Sequence, residues 1–407
     1  MLAKHLTCAY LPVEWNPVKI NMNLPWSIPS HHDQTTKRCD VILVGATLPS
    51  LWLANEIAKH GFSVAILEHR DHIAQAQEFR QLGMVQTGLL DNYWRLAQGL
   101  GEQVAQEIYH SCSRGSSMIG SLTPIRAQGW MLSQDEREDE ELRKLQSLYQ
   151  KWGLNAHRIP SDTLNDVFPT QRIRTGISIP DEGCIHPTHL ASTLFKTIQA
   201  SSIPICCSID IKSIEDHNGG VRVHHQHGIT DADILIYMQH DHLSKLDPFF
   251  STTLNSVRIQ SIAYTRNTPF IEQSCTSQYG YVCWRDEGSL RLLSGCRWAT
   301  PHLEQGETDD TVIVPTIEKA LIRTAKQYFS EDKIDIMYRW SMIERKSCDG
   351  LPLVGSLPGR DHIIACTAFH GRLLGLGFAC AESIKDLLIH GTTSTLPACF
   401  STRRFIV

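Results

Sequence analysis

The sequence predicts an α/β fold organised around one strand–helix–strand unit, and three observations carry that prediction. The apolar run Val41–Val44 is typical of a strand buried on both faces of a parallel sheet. Apolar residues then recur at helical spacing over 51–58, and Gly61 follows where helices commonly end. A second apolar run, Val64–Leu67, ends on the acid Glu68. This order of strand, turn, helix, strand and acid is typical of a dinucleotide-binding unit.

The turn after the first strand departs from the glycine pattern of such units. Glycine is expected at three positions, which here read Gly45, Thr47 and Ser50. Thr47 places a branched side chain where the backbone should approach a pyrophosphate, and Pro49 removes one N–H that would meet phosphate. Glu68 follows Gly45 by 23 residues, which suits an acid that binds ribose. The pattern therefore still predicts a bound dinucleotide.

Composition limits the classes of function. The chain has 407 residues, of which 42% are hydrophobic and 20% charged, as in ordinary globular proteins. A net charge of −5 does not favour binding to nucleic acid or to an acidic membrane surface. No apolar run is long enough for a membrane span, and residues 1–11 lack the apolar centre of a signal peptide. The thirteen cysteines form no CxxC pair, which favours reduced thiols in the cytoplasm.

The rest of the chain alternates between helical and strand patterns. Prolines interrupt residues 1–38, which we interpret as an arm. Helices are predicted over about 187–200 and 316–329, and a last helix over 379–389. Short strands between 203 and 238 are separated by turn residues, and they predict a meander appended to the parallel sheet.

Four further segments carry a resemblance to a known family: Phe79–Val85, Gly176–Pro187, Arg339–Gly355 and Phe369–Gly377. In this order and spacing, together with the first unit, they resemble the D-amino-acid-oxidase-like superfamily of FAD-dependent oxidoreductases. Among its members the chain is most similar to the amine-oxidising gamma-glutamylputrescine oxidoreductase type. The resemblance covers about residues 20–392.

This resemblance implies a Rossmann-type FAD-binding domain interleaved with a mixed-sheet α+β substrate domain. The FAD-binding domain would comprise 39–110, 160–240 and 335–395, and the substrate domain 111–159 and 241–334. Such enzymes oxidise a C–N bond of an amine or amino acid by hydride transfer to flavin. FAD would be bound without a covalent link and would therefore be removable, and the partner would be a small amine or amino acid.

Carried over to this sequence, the family's cofactor contacts fall on Gly45, Thr47, Glu68, Arg80, Gly371 and Arg372. Gly45 and Thr47 would lie in the phosphate turn, and Glu68 would bind the adenosine ribose. Arg80 would lie in the loop that contacts the flavin. Gly371 and Arg372 match the family's approach to the flavin before the last helix.

Two residues are candidates for catalysis. Glu344 stands where amino-acid-oxidising members place an arginine for the substrate carboxylate, so the resemblance implies a preference for a cationic amine. The alternative interpretation is that Glu344 and Arg345 belong to a solvent-exposed stretch with no role in substrate binding. His370 is a candidate for flavin contact or proton transfer. The histidines at 225 and 227 or at 240 and 242 are interpreted as surface residues of strands, and no metal site is predicted.

Several departures from the family pattern surround the proposed flavin site. They are Thr47, Ser50, Gln81, Leu82, the segment 237–240, Met342 and Leu373. An alternative hypothesis therefore stays open, in which the chain is a flavin-free relative that acts as a binding or regulatory protein. An NAD-linked enzyme is a third hypothesis, and the C-terminal half of the pattern argues against it.

Overall fold

The computed structural model describes residues 18–19, 35–71, 80–89, 91–170, 172–179, 181–239, 242–295, 306, 309–393 and 395–405. Most of the predicted arm, residues 1–38, lies outside the described residues. Within the described chain the strands, numbered in order, are β1 (Val18–Lys19), β2 (Arg38–Val44), β3 (Val64–Leu67), β4 (Met84–Val85), β5 (Gly129–Ser133), β6 (His157–Arg158), β7 (Thr175–Ile179), β8 (Gly183–Cys184), β9 (Ile205–Cys206), β10 (Ile211–His217), β11 (Gly220–His225), β12 (Gly228–Tyr237), β13 (Leu254–Thr265), β14 (Ser274–Ser277), β15 (Val282–Glu287), β16 (Leu290–Gly295), β17 (Val312–Ile313), β18 (Asp335–Ser347), β19 (Leu353–Leu357) and β20 (Arg360–Thr367).

The helices of the described chain are α1 (Leu48–Ala58), α2 (Tyr93–Leu100), α3 (Glu102–Leu122), α4 (Glu136–Lys151), α5 (Ser161–Val167), α6 (Pro187–Ala200), α7 (Leu243–Leu246), α8 (Pro248–Thr253), α9 (Pro315–Phe329) and α10 (Leu373–His390). Two short 3-10 helices, Ala398–Phe400 and Thr402–Phe405, follow α10. No helix among these is long and apolar enough to cross a membrane.

The first large sheet has the order β10-β11-β12-β2-β3-β9, and β20 also pairs with β12 and with β19. The neighbours of β2 and β3 run parallel, whereas β10, β11 and β12 form an antiparallel meander. The second large sheet has the order β18-β13-β16-β15-β14-β5-β7-β6 and is mostly antiparallel. One molecule thus combines a parallel nucleotide-type sheet with a mixed sheet.

The unit β2–α1–β3 forms because its apolar residues are buried on all sides. Val41 to Val44 are at most 1% exposed, since helices cover one face of the sheet and a second apolar cluster covers the other. Thr47 caps α1, and Pro49 is accommodated in its first turn. The predicted strand–helix–strand order is confirmed.

Helix α10 lies against α1 and α3 in the core of the first sheet. Glycines permit this close packing: a Cβ built on Gly115 of α3 would lie 1.8 Å from the carbonyl oxygen of Gly375 in α10. Likewise a Cβ on Gly377 would lie 3.0 Å from Pro49 of α1. The glycines therefore fix the position of the N-terminus of α10.

The structure also refines the predicted elements. The meander and the helices near 187–200 and 316–329 are confirmed, and α10 begins six residues earlier than the predicted helix at 379. Strands β7 and β18 fall in segments predicted for the FAD-binding domain, yet they pair within the second sheet. The exact division of the chain into domains stays a proposal.

Candidate functional site

Gly45 makes the tight turn between β2 and α1. Its φ of +108° favours glycine. A Cβ at this position would also lie 2.6 Å from Cβ of Gln239, which follows β12. Gly45 is therefore required both by its own backbone conformation and by the neighbouring chain.

The first turn of α1 offers few hydrogen-bond donors to a phosphate. The N–H of Ser50 donates to Oγ1 of Thr47 at 3.3 Å, and Pro49 has no N–H. The Ser50 hydroxyl donates in turn to the carbonyl oxygen of Gly45 at 2.7 Å. Thr47 and Ser50 thus stabilise the turn themselves, where a glycine loop would leave donors for a ligand.

Glu68 lies at the carboxyl end of β3 and is 1% exposed. Its Oε2 accepts from the N–H of Ala46 at 2.7 Å, and its Oε1 accepts from the N–H of Arg70 at 2.9 Å. The ring of His69 is 3.0 Å from Oε1. Burial opposes the charge, but these hydrogen bonds and the Arg70 charge lower the pKa of Glu68 below its usual value. Glu68 is therefore a buried, ionised carboxylate.

The residues present fit a dinucleotide at the ribose and at the tight turn. A carboxylate has about four lone-pair sites, so Glu68 retains acceptor capacity for hydroxyl groups beyond its protein partners. The adjoining turn retains its glycine at position 45 and carries α1 directly after it. The phosphate position has fewer donors than the family pattern provides, because of Pro49 and the Thr47 cap.

A main cleft lies where the second sheet meets the start of α10. It has an empty volume of about 760 Å³, including space open to solvent, which suits a small ligand or part of a larger one. The lining includes Gln81, Leu82, Met342, Glu344, His370, Gly371 and Arg372. All seven come from segments whose sequence resembles the flavin loop or the C-terminal pattern, so the structure brings those segments together.

Arg80 is placed differently from its neighbours in the flavin-type loop. Its guanidinium pairs with Asp310 at 2.6 Å and donates to the carbonyl oxygen of Ser341 at 3.2 Å. The indole N–H of Trp340 donates to the Arg80 carbonyl oxygen at 2.6 Å. Arg80 thus ties its loop to the second sheet, and its predicted contact with flavin stays a prediction.

Glu344 faces the main cleft but already has a cationic partner. Its Oε2 lies 3.2 Å from Nζ of Lys346, and both side chains are nearly buried. Gly371 adjoins the same carboxylate, since a Cβ there would lie 2.7 Å from Oε1. The ion pair neutralises Glu344 and leaves Arg372 as an additional positive charge on the cleft wall.

His370 is held neutral beside the cleft. It is 5% exposed, and burial together with the charge of Lys346 lowers its pKa to about 3. Its Nε2 lies 3.1 Å from Oγ of Ser347, and that hydroxyl donates to the carbonyl oxygen of Leu351 at 2.6 Å. The geometry therefore makes Nε2–H the donor to Ser347.

Gly371 and Arg372 precede α10. Gly371 has a φ of +79°, and Nε of Arg372 donates to the carbonyl oxygen of Leu89 at 3.2 Å. Leu373, where the family has glycine, is 1% exposed and packs within the apolar core. The Leu373 side chain therefore contributes to the apolar core around α10.

Sequence reasoning missed two charged residues of this region. Lys346 lies two residues after Glu344 on β18, and strand periodicity alone would have placed both on one face. Glu182 lies in the segment Gly176–Pro187 that carries the resemblance, and the sequence assigned it no role, although it is a charged residue only 5% exposed. Within the described residues no cluster of three potential metal ligands occurs, and the predicted lack of a metal stays a prediction.

Comparison with known proteins assigns the family. A family model described as FAD dependent oxidoreductase matches residues 40–387. This chain belongs to the FAD-dependent oxidoreductase family. The resemblance found in the sequence is confirmed at that level, as is the α/β fold class, and FAD is the family's cofactor.

The relatives of this family member are distant. It is 22% identical over 368 residues to the tRNA 5-methylaminomethyl-2-thiouridine biosynthesis bifunctional protein MnmC of Legionella pneumophila strain Lens, covering 87% of this chain and 51% of the relative. The chain thus spans about half the length of that relative. Glycine oxidase from Geobacillus kaustophilus has a similar structure, with a TM-score of 0.75 and 17% sequence identity. The match covers 91% of this chain and 100% of the oxidase chain. L-proline dehydrogenase from P. horikoshii is also similar in structure, with a TM-score of 0.76 and 14% sequence identity. That match covers 91% of this chain and 98% of the dehydrogenase chain.

Proposed function

We propose that this protein oxidises a C–N bond of a small amino acid or amine with FAD as cofactor. Membership of the FAD-dependent oxidoreductase family carries the proposal. The similar structures named glycine oxidase and L-proline dehydrogenase support a substrate that bears an amine and a carboxylate. The main cleft beside α10 is of a size to admit such a small molecule.

The chain would hold the cofactor between its two sheets. Gly45 and Thr47 would place the pyrophosphate at the start of α1, and Glu68 would accept hydrogen bonds from the adenosine ribose. Gly371 and Arg372 would border the flavin ring, where Gly371 allows close approach of the backbone. When bound, the flavin supplies the hydride acceptor, while the protein supplies orientation and charge.

The charges of the main cleft favour a substrate with a carboxylate. Lys346 neutralises Glu344, so the expected preference of Glu344 for a cationic amine is reduced. Arg372 lines the cleft and makes one hydrogen bond, from Nε, within the described chain. Arginine is well suited to bind a carboxylate with two parallel hydrogen bonds.

The proposed setting is the cytoplasm, with a small molecule as partner. Cysteines of the described chain are free thiols and mostly buried, which suits a reducing compartment. The relative MnmC is named for tRNA, but a net charge of −5 does not favour binding of a polyanion. A free amino acid or amine is therefore the favoured class of substrate.

A second candidate function is binding or regulation without flavin. Pro49 lacks an N–H, the N–H of Ser50 is taken by Thr47, and Glu68 is almost fully buried. These observations favour a weakened cofactor site. Such a protein would keep the substrate-type cleft and lose the redox chemistry.

The absorption spectrum of the purified protein, before and after incubation with FAD, separates the two candidates. The proposed oxidoreductase carries flavin absorption after gel filtration, and a suitable amino acid bleaches it under anaerobic conditions. A colourless protein that retains no FAD would overturn the proposal in favour of flavin-free binding. Retained flavin that no amino acid or amine reduces would contradict the proposed reaction.

A further inference from the structure

A second space adjoins the main cleft. It is lined by the rings of Tyr93, Tyr149 and Tyr279, and we call it the tyrosine chamber. Its empty volume is about 500 Å³, counting the part that is open to solvent. Gly280 and Arg372 line both spaces, so the chamber and the cleft meet at these two residues.

A buried carboxylate faces the tyrosine chamber with one oxygen unused. Oε1 of Glu182 accepts from the N–H of Thr87 at 3.0 Å and from its hydroxyl at 3.1 Å. Its Oε2 has no hydrogen-bond partner among the described residues, and no ion pair there joins Glu182 to Arg372. Glu182 is only 5% exposed, so a free acceptor at this depth requires an explanation.

A second polar group of the chamber also lacks a partner. Tyr93 is 2% exposed, and its buried hydroxyl has no nitrogen or oxygen partner within the described part of the chain; its polar neighbour is the weakly hydrogen-bonding thiol of Cys112. Buried polar atoms are paired in the great majority of cases, because an unpaired one loses its hydrogen bonds to water without replacement. The unused Oε2 of Glu182 and the Tyr93 hydroxyl, beside one cavity, point to a ligand that would supply their partners.

The remaining carboxylates of the chamber are already engaged. Arg95 pairs with Glu141 at 2.9 Å and with Asp91 at 3.3 Å. Glu138 accepts from two backbone N–H groups, at 2.8 and 2.9 Å. The Tyr279 ring already has the Arg95 guanidinium over it, 4.7 Å from the ring centroid. Glu182 is therefore the carboxylate left for a ligand.

We propose that the tyrosine chamber binds a primary ammonium group at the far end of a flexible ligand whose carboxylate lies beside Arg372. The ammonium donates to Oε2 of Glu182 and to the Tyr93 hydroxyl. The position given to the carboxylate rests on the proposed function. The inference deepens that function by assigning basic amino acids as the substrate class. Arg372 would then bind the carboxylate end of one ligand molecule, and Glu182 in the tyrosine chamber would bind its ammonium end.

Calorimetric titration of the protein tests this without any turnover. The probes are the unbranched acids from butanoate to octanoate and the matching ω-amino acids, which differ only by the terminal ammonium. At one chain length the amino acid should bind at least about tenfold more tightly, as expected for a hydrogen bond to a charged group. Equal affinity of the two series at every length would overturn the proposal.

Three variants locate the effect. Glu182→Gln keeps the shape and the acceptor for Thr87, and it should abolish the preference for the amino series. Tyr93→Phe should weaken that preference and decides the matter if Glu182→Gln does not fold. Glu215→Gln, on the exposed face of β10, is the matched control and should change nothing. A preference that survives both chamber variants would contradict the proposal, whatever the outcome of the flavin spectrum.

Discussion

Two buried glutamates illustrate how local partners decide the charge of a side chain. Glu68 accepts hydrogen bonds on both oxygens, and its pKa is lowered despite burial. Glu182 has Thr87 on one oxygen alone, and burial raises its pKa to about 7 even though Arg372 and Thr87 act in the opposite direction. The same residue type thus serves as a fixed anion in one place and as a titrating group in the other.

Removing the charge of Glu68 should weaken FAD binding. Glu68→Gln retains the volume but loses charged hydrogen bonds to the ribose, so we expect a loss of affinity of about tenfold or more. Fluorescence titration of the flavin-depleted protein measures this. Glu56→Gln, at a partly buried position of α1 whose carboxylate pairs with Lys59, is the control, and unchanged affinity in Glu68→Gln would remove Glu68 from the cofactor site.

Glu182 should make the stability of the fold depend on pH. Its folded-state pKa of about 7 exceeds the reference value of 4.5, so the folded state binds the proton more tightly. That stabilisation is present below about pH 4.5 and is lost as the pH rises through about 7. Between pH 5 and pH 8 the Tm of the wild type should fall further than that of Glu182→Gln. Parallel curves would contradict the assignment.

The ion pair of Glu344 and Lys346 should set the preference for charged substrates. Glu344→Gln releases the Lys346 ammonium into the main cleft. We expect kcat/KM to rise severalfold for an amino acid relative to the amine that lacks its carboxylate, because the released ammonium can pair with that carboxylate. A ratio equal to that of the wild type would place the pair outside substrate recognition.

At the scale of elements, the position of α10 depends on contact between helix backbones. Gly115 of α3 faces the carbonyl of Gly375, with no room for a methyl group. Because Arg372 and His370 precede α10, this packing also positions the wall of the main cleft. A change in the core is therefore expected to reach the site.

Gly115→Ala should destabilise the protein by about 2–4 kcal/mol, because overpacking must separate α3 from α10. Gly120→Ala on the same helix is a matched control: its nearest neighbouring atom would lie 3.7 Å away. That variant should be neutral or more stable by up to about 1 kcal/mol, since alanine favours helix. Denaturant unfolding measures both. Equal effects of the two substitutions would disprove the steric argument.

Periodicity predicted the elements better than it predicted the site. Runs such as Val41–Val44 and the turn at Gly45 are local signals, so β2, α1 and β3 were predictable. The partners of Glu182 and Arg80 come from residues 95 and 230 positions away. Such pairs are formed by the tertiary fold, and a single sequence carries no periodic signal for them.

At the scale of the whole molecule, bound FAD should stabilise the fold by mass action. FAD at a hundred times its Kd should increase the free energy of unfolding by about 2.7 kcal/mol and should raise Tm by several degrees. Riboflavin, which lacks the adenosine that Glu68 would bind, is the control and should have a much smaller effect. Equal shifts with both compounds would argue against the ribose contact.

The order of strands in the first sheet has a consequence for biosynthesis. β2 near the start of the chain lies beside β12, and β12 pairs with β20 more than 300 residues after β2. α10, which covers this sheet, follows later still. A growing chain on the ribosome thus carries an incomplete core until β20 and α10 have emerged. Folding of the first sheet is therefore completed only after α10 has been synthesised, and its early strands are the segments that a chaperone would meet.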